Sequence, residues 1–157
     1  MTESRPPRIA ADEKTTLMGF LDYLRDAISA KATGVPEPQV RAPGVPSGTS
    51  LLGLIKHLTF VERYYLQGAA VRDWAATFKP TSKDTVDSVL ADYRQAVAEA
   101  NIVIESYADL AQPAPASAKS GAAPSMRWLL THMIEETGRH AGHADIIREQ
   151  IDGGTGR

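Results

Sequence analysis

Three of the chain's four histidines fall in one stretch, HMIEETGRHAGHAD at 132–145, together with Glu135, Glu136 and Arg139. The fourth, His57, lies far upstream in LLGLIKHLTFVERYY. Imidazoles beside carboxylates can do two kinds of chemistry: they can ligate a divalent ion through nitrogen and oxygen, or pass protons. There is no cysteine, which excludes disulfides, thiolate zinc knuckles and a cysteine nucleophile.

Whether the cluster faces water or the interior follows from helical periodicity. With His132 set at zero and about 100° per residue, Arg139 falls near roughly −20°, His143 near roughly 20°, Glu136 near roughly 40° and His140 near roughly 80°. Leu129 and Ile147 both fall near roughly 60°, inside the same sector, while Asp145 points to nearly the opposite side. A solvated charged face would exclude that leucine and isoleucine. The polar cluster therefore sits in a core-facing stripe, where unpaired polar groups are costly. Glu136 and His140 stand one turn apart and can converge on one ion. One helix rarely completes a coordination shell, and His57 is the histidine available from elsewhere, between Leu54 and Val61 on another apolar stripe.

Two imidazoles and a carboxylate leave a position for water or substrate, as catalytic zinc sites do. Nickel, iron(II) or manganese also suit nitrogen and oxygen ligands. The plainer readings stand beside this one: His57 as a hydrogen-bonded core histidine, and Glu136 with His140 as a local charge pair. His132 and His143 are candidates for supporting the ligands or touching substrate, since a fourth protein ligand would close the site. Arg139 is either a partner of Glu135 or Glu136, or an anchor for an anionic substrate group. Tyr64, Trp74 and Trp128 read as packing residues.

Four stretches are expected to form the helices that position these groups. The first runs from about Asp12 to Ala32, with Leu17, Leu21, Leu24 and Ile28 on one stripe and Gly34 placed to stop it. The second runs from about Ser50 to Gly68, with Thr49 or Ser50 as its N-cap. The third runs from about Lys83 to Ala111, capped by Ser82, with Asp84 and Asp87 in its first turn. The fourth runs from about Ser125 to Ile151, ahead of Gly153 and Gly154. The connections at 34–49 and 112–125 are rich in proline, and the second is expected to be mobile. Trp74 and Phe78 can pack a short turn between the second and third helices. With no β-alternation and no internal repeat, the expectation is all-α: a four-helix bundle with at least one crossover connection.

At 157 residues, with 43% hydrophobic and 23% charged residues, the chain suits one domain, 1–157, with its core at about 12–153. A net charge of −2 offers no basic field for nucleic acid or an anionic membrane. The polar N-terminus MTESRPPRIAADEK lacks the apolar segment of a secretory signal, and a cytoplasmic protein is the expectation.

The blocks VPSGTSLLGLIKHLTFVERYY and RWLLTHMIEETGRHAGHADIIREQIDG resemble the DinB-like superfamily, most nearly its mini-circle protein type, over about residues 12 to 153. That resemblance implies a bundle of up-down-down-up topology holding a metal through one histidine of helix two and two residues of helix four. By position these are His57, Glu136 and His140. Many superfamily members have histidine where this chain has Glu136, and the glutamate is similar to the mycothiol-dependent maleylpyruvate isomerase branch. The mini-circle type is also similar to mycothiol S-transferases. The resemblance thus implies a metal-dependent transferase, with a divalent ion, zinc in the first instance, and a mycothiol-like thiol as cosubstrate. Its partners would be that small-molecule thiol and an electrophile, and a homodimer is compatible with such bundles. On this reading His143 or His132 relays a proton and Arg139 holds a polar or carboxylate group. Metal-assisted hydrolysis or isomerisation, and a metal-stabilised scaffold without catalysis, are the competing expectations.

Overall fold

The computed structural model describes residues 5–115 and 121–155. Among them the helices are α1 Glu13–Ala32, α2 Leu51–Gln67, the one-turn α3 Trp74–Thr77, α4 Val86–Glu105 and α5 Met126–Asp152. There is no strand among the described residues; one isolated backbone bridge joins Pro113 to Ser125 and ties the ends of the loop before α5. The expected mobility of that loop falls in part on 116–120, outside the described residues. The all-α expectation holds.

Pairwise contacts between side chains give the directions of the helices. On α1 and α5, Arg127 bonds Glu13 and Lys31 pairs with Asp145, so the two run parallel. On α2 and α4, Arg63 meets Asp92 and Gln67 bonds the carbonyl of Ala96, so these also run parallel. Across the pairs the order reverses: Tyr65 faces His132 while His57 faces Glu136 and His140. The bundle is therefore up-down-down-up: of the parallel pairs only α2 and α4 follow one another in the chain, and the crossover between them is the segment at 68–85 that carries α3.

Local chemistry sets most helix ends. Asp12, Ser50 and Ser125 each accept a bond from the backbone N–H three residues on, satisfying donors that a helix leaves unpaired. Gly68 and Gly153, at φ 68° and 73°, close α2 and α5 in the left-handed conformation. The third long helix differs from expectation at both ends. Asp84 is not in its first turn: its carboxylate takes the Lys56 ammonium at 2.8 Å and the Thr81 backbone and hydroxyl, which holds 81–84 as a turn. Thr85, in a reciprocal capping box with Ser88, starts the helix instead of Ser82. At its far end α4 stops at Glu105, where the Lys14 ammonium binds the carbonyls of Glu105 and Tyr107.

Leu21 and Ile28, Leu51, Leu54 and Leu58, Tyr93 and Ile104, and Met126, Leu129 and Met133 bring all four long helices into one apolar core. A polar knot interrupts it. Arg25 of α1 makes a two-pronged contact with the fully buried Glu62 of α2, both bonds 2.7 Å, and reaches Asn101 of α4 at 2.8 Å. Burial alone would lower the Arg25 pKa, but Glu62 opposite raises it above its usual range. No helix among the described residues is long and apolar enough to cross a membrane.

Candidate metal centre

The short helix α3 explains how His57 is held. Asp73 caps it by accepting from the N–H groups of Ala75 and Ala76. The Phe78 carbonyl that follows lies so close over α2 that a Cβ on Gly53 would sit 2.2 Å from its oxygen. Glycine at 53 is thus what lets α3 and Phe78 settle onto α2. There Phe78 stacks on the His57 ring, centroids 3.8 Å apart and planes at 12°, and Trp74 meets its edge at 5.8 Å. The buried Thr77 lies 2.8 Å from His57 Nδ1.

That last contact fixes the tautomer. The Thr77 hydroxyl donates its only proton to the Trp74 carbonyl at 2.6 Å, so towards His57 it must accept. The ring proton is then on Nδ1, and Nε2 presents a lone pair. Nε2 faces Glu136 Oε1 at 3.3 Å. Burial pushes the His57 pKa below its ordinary 6.5, Glu136 pulling the other way, so the ring is neutral at pH 7. A glutamate side chain is ionised at pH 7, so Glu136 presents a carboxylate. A lone pair therefore faces a carboxylate, an arrangement that a cation between them would relieve.

The donor set fits a small divalent ion. His140 Nε2 lies 3.1 Å from the same Glu136 oxygen, and the ligand atoms of His57, Glu136 and His140 all lie within 4.8 Å of one another. A tetrahedral ion with bonds of about 2.1 Å places its ligand atoms about 3.4 Å apart, close to the two separations found. On the far side of the His140 ring, Nδ1 lies 3.4 Å from Nδ1 of His143. That contact can receive the His140 ring proton and leave Nε2 free, the usual role of a group behind a metal-binding histidine.

The three residues open on a cleft of about 350 Å³, walled by Val61, Tyr65, Trp74 and Phe78. His132 and Arg139 stand at its edge. Tyr65 and His132 touch edge to face at 4.9 Å. Arg139 bonds Glu135, and its side chain is 60% exposed. His143 does not reach this cleft. It opens instead on a second cavity, of about 350 Å³, between α5 and the loop at 45–49. Of the six residues singled out in the sequence, five line one cleft and the sixth backs His140 from outside it. Trp128 differs from the packing role expected of it: it is 52% exposed and lies over His132, ring centroids 5.0 Å apart and planes at 21°. Thr77 was missed by the sequence reasoning, because a one-turn helix has no periodicity to reveal it.

Thr77→Val keeps the shape but leaves His57 Nδ1–H without an acceptor. Metal affinity should fall by about 10- to 100-fold, measured by competition with a chelator.

The family model for Mycothiol-S-transferase matches residues 16–153. The chain belongs to the mycothiol S-transferase family, one of the DinB-like families. Compared with the curated proteins, and likewise with the solved structures, it matches none. The matched span contains α2, α3 and α5 entire, and with them every residue of the cleft.

Proposed function

We propose that the protein is a metal-dependent S-transferase that joins mycothiol, or a similar low-molecular-weight thiol, to an electrophile. The observation that carries this reading is the His57 lone pair facing Glu136 in an open cleft, within a chain of this family. His57, Glu136 and His140 would hold a divalent ion, zinc in the first instance. When bound, such an ion supplies Lewis acidity that lowers the pKa of a thiol beside it. The chain has no cysteine, so the nucleophilic sulfur must arrive with the substrate.

The protein's own groups do the rest. Phe78 and Trp74 shield His57 from water, and Thr77 keeps its Nε2 unprotonated and aimed. His143 backs His140 and can take up a ring proton. His132 lines the cleft, where His143 does not, and would be the group to carry away the thiol proton. Arg139 can exchange Glu135 for a carboxylate or a polar sugar group of the thiol.

The test is consumption of thiol and electrophile by the purified protein loaded in turn with zinc, nickel, iron(II) or manganese. Formation of a thioether that needs both protein and metal is the expected result. Turnover of a substrate without any thiol would instead mean a hydrolase or isomerase. Loss of fold on chelation, with no turnover in any panel, would mean a metal-stabilised scaffold.

A further inference from the structure

Trp128, His132, Glu136 and His140 follow one another at intervals of four residues and form one ridge of α5. Each step rises about 6 Å, so the Trp128 ring stands about 12 Å along the helix from the Glu136 ligand. Its plane lies nearly parallel to His132, and Tyr65 closes the side of that ring pair from α2. A tryptophan 52% exposed on a helix of a small bundle leaves a large flat surface facing water. That surface lies just outside the cleft, over His132, which lines it. Seven residues further along α5 the cleft carries Arg139, whose partner Glu135 also lies 3.6 Å from His132 Nδ1.

We propose that Trp128, backed by His132, is the specificity-determining contact for the second substrate, and that it selects electrophiles with a flat aromatic or conjugated body. The inference rests on the transferase reading for its catalytic consequence, though not for binding itself. The polar part of the thiol lies towards Arg139, and the planar body of the electrophile lies over His132 towards Trp128. Offset stacking of such rings is favourable beyond the area it buries.

Two chlorides of equal stoichiometry separate the body from the reacting group: chlorodinitrobenzene, which is aromatic, and chloroacetamide, which is not. In each, a sulfur–carbon bond forms and a carbon–chlorine bond breaks. Chloride leaves with the bonding pair, and the thiol proton passes to solvent. With metal-loaded enzyme and mycothiol, Trp128→Ala should lower kcat/KM for chlorodinitrobenzene by about 5- to 10-fold, chiefly through KM. The value for chloroacetamide should not change, and Trp128→Phe should restore most of the aromatic preference.

A second measurement needs no turnover. In a Trp74→Phe background Trp128 is the only tryptophan, and dinitrobenzamide, which has no leaving group, should quench its fluorescence with saturation. If neither chloride turns over but this quenching saturates, the transferase reading fails and the binding face stands. Equal losses on both chlorides, no loss on either, a rise in KM for the thiol alone, or quenching without saturation would overturn the proposal.

Discussion

Glu136→Ala is expected to empty the metal site while leaving a folded protein. Glu136 supplies the oxygen that His57 and His140 both face, and its side chain is only partly buried, so its removal opens no large hole. Without it the site keeps two neutral imidazoles and no negative charge to offset a divalent ion. The loss in affinity should exceed the roughly 100-fold that removing a ligand's hydrogen-bond partner can cost. Metal analysis of protein purified without an affinity tag should find about one ion per chain in the parent and a negligible fraction in the variant, with helical circular dichroism preserved in both. Thioether formation should fall with the metal.

The same site has a defined response to acid. A ring whose folded pKa is depressed keeps its neutral, ligating form below 6.5, where an exposed histidine would already be protonated. Stability contributed by neutral His57 is present above that value and is lost as pH falls through the lower, folded one. Metal occupancy should therefore persist just below pH 6.5 and fail at stronger acid, as a titration with bound-metal readout would record. Release at or above 6.5 would contradict the assigned environment of His57.

Glu62→Ala should have the largest effect on stability. It strips the partner from Arg25 at a point where both side chains are out of water, leaving Asp22 and Asn101 as remaining contacts. Breaking such a pair from one side costs about 3–5 kcal/mol, because the survivor stays buried and charged. A small domain has about 5–15 kcal/mol in total, so the variant should unfold at markedly lower urea. Replacing both partners, as in Arg25→Met with Glu62→Leu, should recover most of the loss. Among the described residues the buried Tyr93 hydroxyl finds no hydrogen-bond partner, and the Glu62 charge adds to burial in raising its pKa, so this part of the core already carries polar strain. If the single variant unfolds at the parental urea concentration, the pair contributes little and its burial is incidental.

The helices and the cluster that could hold a metal are legible in the sequence for the same reason. His57, Glu136 and His140 lie on long amphipathic segments, where a polar group among leucines stands out. The roles of their neighbours were less legible. A helical wheel places His143 at nearly the angle of Glu136 but discards position along the axis. Seven residues amount to about 10 Å, enough to carry His143 past the end of the cleft. Asp84 has the composition of a first-turn acid, yet Lys56 and Thr81 claim it for a turn. Thr77 and Phe78 act through close approach to α2, and what permits that approach is an absent side chain at Gly53. Trp128 is as apolar as a core residue, and only the position of α5 against α1 and α2 leaves it outside.

The arrangement of helices in parallel pairs bears on what a bound ion would join. α1 lies along α5 and α2 along α4, and the cluster of His57, Glu136 and His140 bridges the seam between the pairs, with His57 and Glu136 separated by 79 positions of chain. Neither half of the polypeptide contains the whole ligand set, so the site closes only once both pairs have met. An ion there would act as a rivet through that seam, tying the two pairs together while bound. Hydrogen exchange along α2 and α5 should then slow together when the rivet is in place.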